Sequence, residues 1–517
     1  MSTANNTSTA KVHWTYWLHL AIGLGFMFLF PQLSPIEPIT EVGMHVLGVF
    51  IGMVYLWSAV DSIWPSLLGL MLIAMCGYIP EQTGYAAVKT LFMNAFGSET
   101  VITVMLCMFL FAAVEYVGCT QYITRFFMTR KFLEGRPYVF AFILFFCSTI
   151  ISGLTQALAS LLILWPIAED VCRKFGYQPG DKIFYTMICG IYLGATLGQP
   201  MLPFKGASYV VVSAFVNNFG TDVNYTAFIG YNIIMAIILL ALFLVFVRFV
   251  IKPDVSGFKN MKVEDIMGEK LPKMNFQQKM IFATIIFFIV AMLIPSIMSK
   301  ELALVKFLNN VGLTGILVFC LTVLMIIPYQ GKPLLSLKGV AKKSFSWDVF
   351  FLVAAALYGC NALTNASTGI KPFLVQFLQP ILGGHSDMVF VAIILTFAIV
   401  TTNFANNAGM ATVILPIVLA FTDQYPGIDP TVLCMTVCMI VFVAIFLPIA
   451  VKLGFRQEEL IAILVMLGSA TTVSSFVMAK NMGHEGVLSS SVVMLTTLFS
   501  AFTLTGWLYV LKAFQLV

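Results

Sequence analysis

Val400 to Leu419 reads VTTNFANNAGMATVILPIVL, an uncharged apolar stretch carrying Thr401, Thr402, Asn403, Asn406 and Asn407. In lipid every amide needs a partner, because an unsatisfied polar group in hydrocarbon is costly. Asparagine at this density suits broken backbone that lines a cavity. There the amides offer N–H donors to an anion and carbonyl acceptors to Na⁺. The competing reading is helix–helix hydrogen bonding within a bundle. A second stretch answers the first. Ile150 to Ala168 reads IISGLTQALASLLILWPIA. Setting Trp165-Pro166-Ile167 against Leu415-Pro416-Ile417 places Gln156 opposite Asn406 and Ala157 opposite Asn407. Polar interruptions at matching places in two halves of a chain point to the binding site of a secondary transporter.

A third stretch, Gly194 to Gly206, reads GATLGQPMLPFKG, and its two prolines and three glycines predict a broken helix. Thr196, Gln199 and unwound carbonyls there would complete the first half of a site begun by Thr155 and Gln156. Asn406 and Asn407 carry the other half, with Asn403 and Asn407 as Na⁺ ligands. Lys205 lies just past the break and reads as an outer-surface anchor, attraction of an anion being the other reading. Glu115, near the end of its apolar run, reads as an inner-interface residue rather than a proton relay.

The elements that must hold these residues are membrane helices. Of 517 residues, 60% are hydrophobic and only 10% charged, with a mean hydropathy of +0.96. A soluble domain carries about 25% charged residues. The expected fold is therefore an all-α polytopic membrane protein. The net charge of +5 reflects basic loops that report topology, not a nucleic-acid partner. Cysteines such as Cys107, Cys147, Cys189 and Cys438 stand singly in apolar runs, which suits small core residues. Neither His-Glu-x-x-His, Gly-x-Ser-x-Gly nor a P-loop occurs in the sequence, so an enzyme has no support. A channel would need rings of charge or a continuous polar lining, which the apolar runs lack.

Twelve apolar runs of spanning length fall near 14–33, 43–60, 62–79, 95–118, 183–203, 226–251, 279–298, 309–328, 347–366, 430–451, 457–479 and 487–513. The polar start, Met1 to Lys11, and a first run without a small-residue cleavage pattern argue for a first span rather than a signal peptide. Segments 137–168 and 387–421 are too long for one span and polar in the middle, so each is expected to be a re-entrant hairpin. With the N-terminus in the cytoplasm, basic residues concentrate in the inner loops, and only Lys89, Lys205, Lys300, Lys306, Lys371 and Lys480 of the 28 fall outside. The expected organisation is an N-terminal segment and first span (1–42), a first repeat (43–251), a solvated cytoplasmic linker (252–278), a second repeat of inverted topology (279–479) and an atypical tail (446–517).

The hairpins, the Asn-rich tip ending in Leu-Pro-Ile and the Gly/Thr/Pro break resemble the divalent anion:sodium symporter family over about residues 40–445. That family's hairpin tips carry Ser-Asn-Thr. Here the second tip reads Asn406-Asn407-Ala408, with the asparagine at Asn407. The first reads Gln156-Ala157-Leu158 and lacks it, Thr155 and Gln156 being the nearby substitutes. The family's Thr-Pro-Pro is matched loosely by Gly198-Gln199-Pro200. The resemblance implies a homodimeric elevator transporter in the cell membrane that carries di- or tricarboxylates or sulfate with Na⁺ and needs no organic cofactor. From Phe446 onward the stretches FLPIAVKLGF, GSATTVSSFVMAKNMG and VLSSSVVMLTTLFSAFTL resemble instead the C-terminal part of the auxin efflux carrier family. The expected function is a secondary active transporter of small anions, Na⁺-coupled, with a proton-coupled or uniport organic-anion carrier as the alternative.

Overall fold

The computed structural model describes residues 14–178, 181–205, 223–262 and 272–384, with isolated positions between 208 and 216 and between 386 and 425. The second hairpin's tip, with Asn403, Asn406 and Asn407, lies outside the described residues, as do the last three spans and the tail.

The described residues form a helical protein of fifteen α-helices. These are α1 (Trp14–Phe28), α2 (Glu41–Ala59), α3 (Ile63–Met75), α4 (Gly84–Phe96), α5 (Glu99–Tyr116), α6 (Thr120–Met128), α7 (Pro137–Leu154), α8 (Ala157–Lys174) and α9 (Lys182–Gly198). Then follow α10 (Tyr225–Phe246), α11 (Phe276–Ile297), α12 (Ala303–Ile326), α13 (Leu337–Lys343), α14 (Trp347–Thr364) and α15 (Ile370–Leu382). Among the described residues, seven helices are long and apolar enough to cross a membrane: α2, α5, α7, α10, α11, α12 and α14.

Four sequence expectations change, the first two being that the runs 14–33 and 183–203 yield only the 15-residue α1 and the 17-residue α9, neither among the seven. The run 62–79 yields only the 13-residue α3, about 20 Å long and too short to span. It stops at Cys76 because Gly77 turns the chain with φ +81°. Residues 84–96, expected to be mostly loop, form α4, which buries Ala87, Leu91 and Ala95 on one face. Their four-residue spacing is the helical signal. A spanning helix followed by a short helix (α5, α6) precedes segment 137–168, and the same order recurs as α14 and α15 before segment 387–421.

Local chemistry sets the helix starts. The Thr40 hydroxyl accepts from Gly43 N at 3.0 Å and begins α2. Asn275 and Gln278 form a reciprocal capping box that begins α11. Gln278 also donates to Val117 O, at the end of α5, at 2.9 Å. Gln278→Ala is expected to cost about 1–2 kcal/mol, since it removes the Gln278 half of the capping box and an interhelical bond. A fall of a few degrees in the melting temperature of the purified protein would register it; an unchanged Tm would show that neither bond matters.

Apolar packing divides into three main clusters. One joins α7, α8, α9 and α10 around Phe145, Leu144, Ile191 and Leu240. A second joins α5, α11 and α12 with Met201, Leu202 and Phe204. The third packs α2 and α3 against α14, so that the two halves of the chain share a core. The halves are also tied by backbone, with Thr40 N donating to Thr368 O at 3.0 Å.

The linker departs from expectation in its first part. Ser256–Asn260 forms a turn of 3₁₀ helix. Its Phe258 is fully buried and its ring stacks on Tyr177 at 5.1 Å, with Phe175 at 5.4 Å and Phe140 at 6.2 Å. Gly257 N donates to the Tyr177 hydroxyl at 2.9 Å, and Gly135 N donates to Met261 O at 3.1 Å. Asp254 accepts from Ser256 N at 2.9 Å, which holds its carboxyl below the usual carboxylate range. These residues cover the end of the α7–α8 pair opposite the Thr155–Gln156 break rather than lying free in water. Apolar Val255, Phe258 and Met261 among the lysines are the reason.

Candidate functional site

The first hairpin segment folds as two helices, α7 and α8, each of 18 residues. They break at Thr155 (φ −125°, ψ −118°) and Gln156 (φ −133°, ψ 157°). The last turns of α8 are charged, with Arg173 bridging Glu169 at 2.6 Å. Its apolar part, Ala157 to Ala168, is thus about 18 Å long against a hydrocarbon core of about 30 Å. That length is short of a span, whereas α7, expected as the other short arm, is itself long and apolar enough to cross.

Serines fasten the arms. The Ser148 hydroxyl donates to Ile191 O at 2.7 Å. Ser160 in turn donates toward Ser148, whose hydroxyl and carbonyl oxygens lie 2.8 and 3.1 Å away. The Ser152 hydroxyl donates to Ala195 O. All three serines are buried, so each bond stands in place of an unsatisfied group in an apolar core.

The glycines of α9 allow this approach. A Cβ built on Gly190 would meet the Phe145 ring at 2.0 Å, on Gly194 the Phe145 carbonyl oxygen at 2.1 Å, and on Gly198 the Thr149 carbonyl oxygen at 2.1 Å. Their four-residue spacing forms one stripe of small residues along α9. The stretch 194–206 therefore does not unravel at Gly194. The helix runs to Gly198, tightens to 3₁₀ over Gln199–Met201 and becomes extended at Leu202, where Pro200 and Pro203 end it.

The four first-half candidates divide in two. The Thr155 hydroxyl is buried and donates to Ile151 O at 2.7 Å. The Thr196 hydroxyl is buried and donates to Tyr192 O and Leu193 O at 3.0 and 2.8 Å. Both protons are engaged within their own helices, which leaves these oxygens only as acceptors. Gln156, at the tip, and Gln199, at the α9 break, are exposed, and among the described residues no hydrogen bond holds their side-chain amides. Gln156 also starts α8 without a side-chain cap, so the first N–H groups of α8 face outward from the tip.

Lys205 is not an outer-surface anchor. Its ammonium reaches back to the end of α7 and donates to Ser152 O at 2.8 Å and Gly153 O at 2.9 Å. It passes the Phe111 ring at 5.8 Å, and Phe111 stacks on the fully buried Phe204. Glu115 is half-buried near the end of α5. Of the cysteines read as core, Cys107 and Cys147 are buried, whereas Cys189 is exposed and Cys438 lies outside the described residues.

Together these features describe a multi-pass helical membrane protein whose polar groups converge on a helix break, the arrangement that secondary transporters use. Residues 10–455 match the sodium:sulfate symporter transmembrane region, and the chain belongs to that family. It is 24% identical to the sodium-dependent dicarboxylate transporter SdcS of Staphylococcus saprophyticus, over 50% of this chain and 48% of that one. It is 27% identical to an uncharacterized transporter of Methanocaldococcus jannaschii, over 23% of this chain and 28% of the relative. The chain thus spans less than half the length of the curated relatives it matches. The YdaH transporter of Alcanivorax borkumensis superposes with a TM-score of 0.49 at 12% identity, over 92% of this chain and 98% of that structure. The family and these relatives are transporters, not enzymes.

Proposed function

We propose that the protein is a secondary active transporter of small multivalent anions (a di- or tricarboxylate, or sulfate) driven by Na⁺ through alternating access. The observation that carries this is the α7–α8 break at Thr155–Gln156, set beside the α9 break at Gln199–Leu202, in a chain of the sodium:sulfate symporter family. At the first tip, the opening N–H groups of α8 and the amides of Gln156 and Gln199 supply donors for anion oxygens. At the second, Asn406 and Asn407 supply donors, and Asn403 with Asn407 supplies oxygens to Na⁺. The hairpins move against the rest of the protein in an elevator-like cycle. The protein works as a homodimer in the cell membrane, with its N-terminus in the cytoplasm. The shared order α5–α6 and α14–α15 before the two hairpins supports inverted repeats of 43–251 and 279–479.

Uptake of labelled succinate, citrate and sulfate into proteoliposomes tests the reading, first under an imposed Na⁺ gradient and then under a H⁺ gradient. Na⁺-driven accumulation of one anion is expected. Accumulation driven only by H⁺ would move the coupling to protons, and uptake indifferent to any gradient would replace symport by a uniporter. Asn407→Ala is expected to lower coupled uptake to background while leaving Tm unchanged. Wild-type rates in that variant would remove Asn407 from the site.

A further inference from the structure

We propose that Lys205 is a tethered cation: its ammonium fills the carbonyl cluster at the end of α7 and takes the place of a coupling ion at the first hairpin. This inference rests on the transporter reading above, and it assigns the coupling Na⁺ to the second hairpin alone.

The argument begins with backbone accounting. The last carbonyls of a helix have no intrahelical partner. In α7, Ile151 O is taken by the Thr155 N–H and hydroxyl, each at 2.7 Å. Of the other three, Ser152 O and Gly153 O, at the negative end of the helix, both receive the Lys205 ammonium. Unwound carbonyls at such breaks are what a hard cation binds in discontinuous transporter helices. A Na⁺ ion sharing those two oxygens would stand within about 4 Å of a positive charge, where like charges repel strongly in a low dielectric.

The surroundings fix the ammonium where it is. Phe111 and Phe204 wall it on one side, and Met201 covers Gly153, whose Cβ position would lie 2.2 Å from the Met201 Cε. Among the described residues no carboxylate lies within ion-pair distance of Lys205. The α5 carboxyl whose field reaches it is that of Glu115. A buried ammonium without compensation is unfavourable, so the carbonyl pair is its principal partner. The tip reads Thr155-Gln156-Ala157-Leu158, with the Thr155 hydroxyl turned onto Ile151 O of its own helix.

The test compares wild type, Lys205→Met and Lys205→Arg. One reading is the Na⁺ dependence of uptake in proteoliposomes. The other is the shift in Tm of purified protein when NaCl replaces choline chloride. Wild type is expected to show a Na⁺ Hill coefficient of about one, because only one hairpin binds the ion. Lys205→Met frees the carbonyls, and its Na⁺-dependent Tm shift should grow by a few degrees as a second ion binds the folded state. Lys205→Arg keeps the charge and should retain the wild-type Na⁺ response, which a merely structural role would not require. A wild-type Hill coefficient near two would overturn the proposal, as would a Lys205→Met protein with an unchanged Na⁺ shift. If Lys205→Met does not fold, the wild-type coefficient and the arginine variant still decide. If no anion is carried under any gradient, the transport reading fails on its own, and the Na⁺ shifts of wild type and Lys205→Met continue to test the cation.

Discussion

Gly198→Ala is expected to abolish most uptake. The new Cβ would lie 2.1 Å from Thr149 O, 2.9 Å from Gly153 N and 2.9 Å from the Ser152 Cβ. Backbone cannot swing aside as the end of a flexible side chain can, so α9 must move off α7. The serine bonds resist that, because Ser148 and Ser152 hold Ile191 O and Ala195 O of α9. Overpacking of this kind costs about 1–3 kcal/mol. The functional effect should exceed the effect on stability. Gly153 is two residues from the tip, and a displacement of about 1 Å at a binding constellation can lower turnover by about a hundredfold. Initial rates normalised to protein in the vesicles, together with Tm, check this. Gly25→Ala is the control, since nothing lies within 4 Å of its Cβ position. Wild-type uptake in Gly198→Ala would show that the α7–α9 contact does not position the tip.

Phe258→Ala should release the linker. The ring is fully buried among Phe140, Phe175 and Tyr177, and a buried Phe→Ala change costs about 3–5 kcal/mol. Much of that loss falls on the local opening of residues 255–261 rather than on the whole protein. Tryptic cleavage at Lys259 under native conditions should therefore accelerate by about a hundredfold or more, in proportion to the population of the open form. Tyr177→Phe removes only the hydroxyl that accepts from Gly257 N and should accelerate cleavage by no more than about tenfold. Equal cleavage rates in wild type and Phe258→Ala would mean that the aromatic cluster does not hold the linker.

Composition and apolar run length made the helical membrane fold legible in the sequence, because the bilayer imposes a length and a polarity on every span. The break at Thr155–Gln156 was legible for a related reason: polar residues inside an apolar segment demand partners. What escaped was set by contacts between distant residues. Gly194 and Gly198 were read by their propensity to break helices, whereas with Gly190 their four-residue spacing marks a packing stripe. Ser148 and Ser152 share that spacing on α7 and would have named the facing helix. Lys205 was assigned outward by counting charges along the chain. Only the fold shows that the turn at Leu202–Phe204 carries its side chain back to α7. Phe258 was hidden by the lysines around it, since the average character of a linker says little about one apolar side chain within it.

The aromatic seat of Phe258 also orders events in time. Gly257 follows Tyr177 by 80 residues, and synthesis at about 5–20 residues per second separates the two by about 4–16 s. Through that interval the first hairpin is already made, but its base is missing the side chain that closes it. Phe140, Phe175 and Tyr177 stay without their central ring until the linker leaves the ribosome. Completion of the first half therefore waits on a segment whose sequence looks like a spacer, and α11 begins only after it. A pause in synthesis after Phe258 has left the ribosome would lengthen the window in which the first half closes by itself, before the second half arrives to share its core.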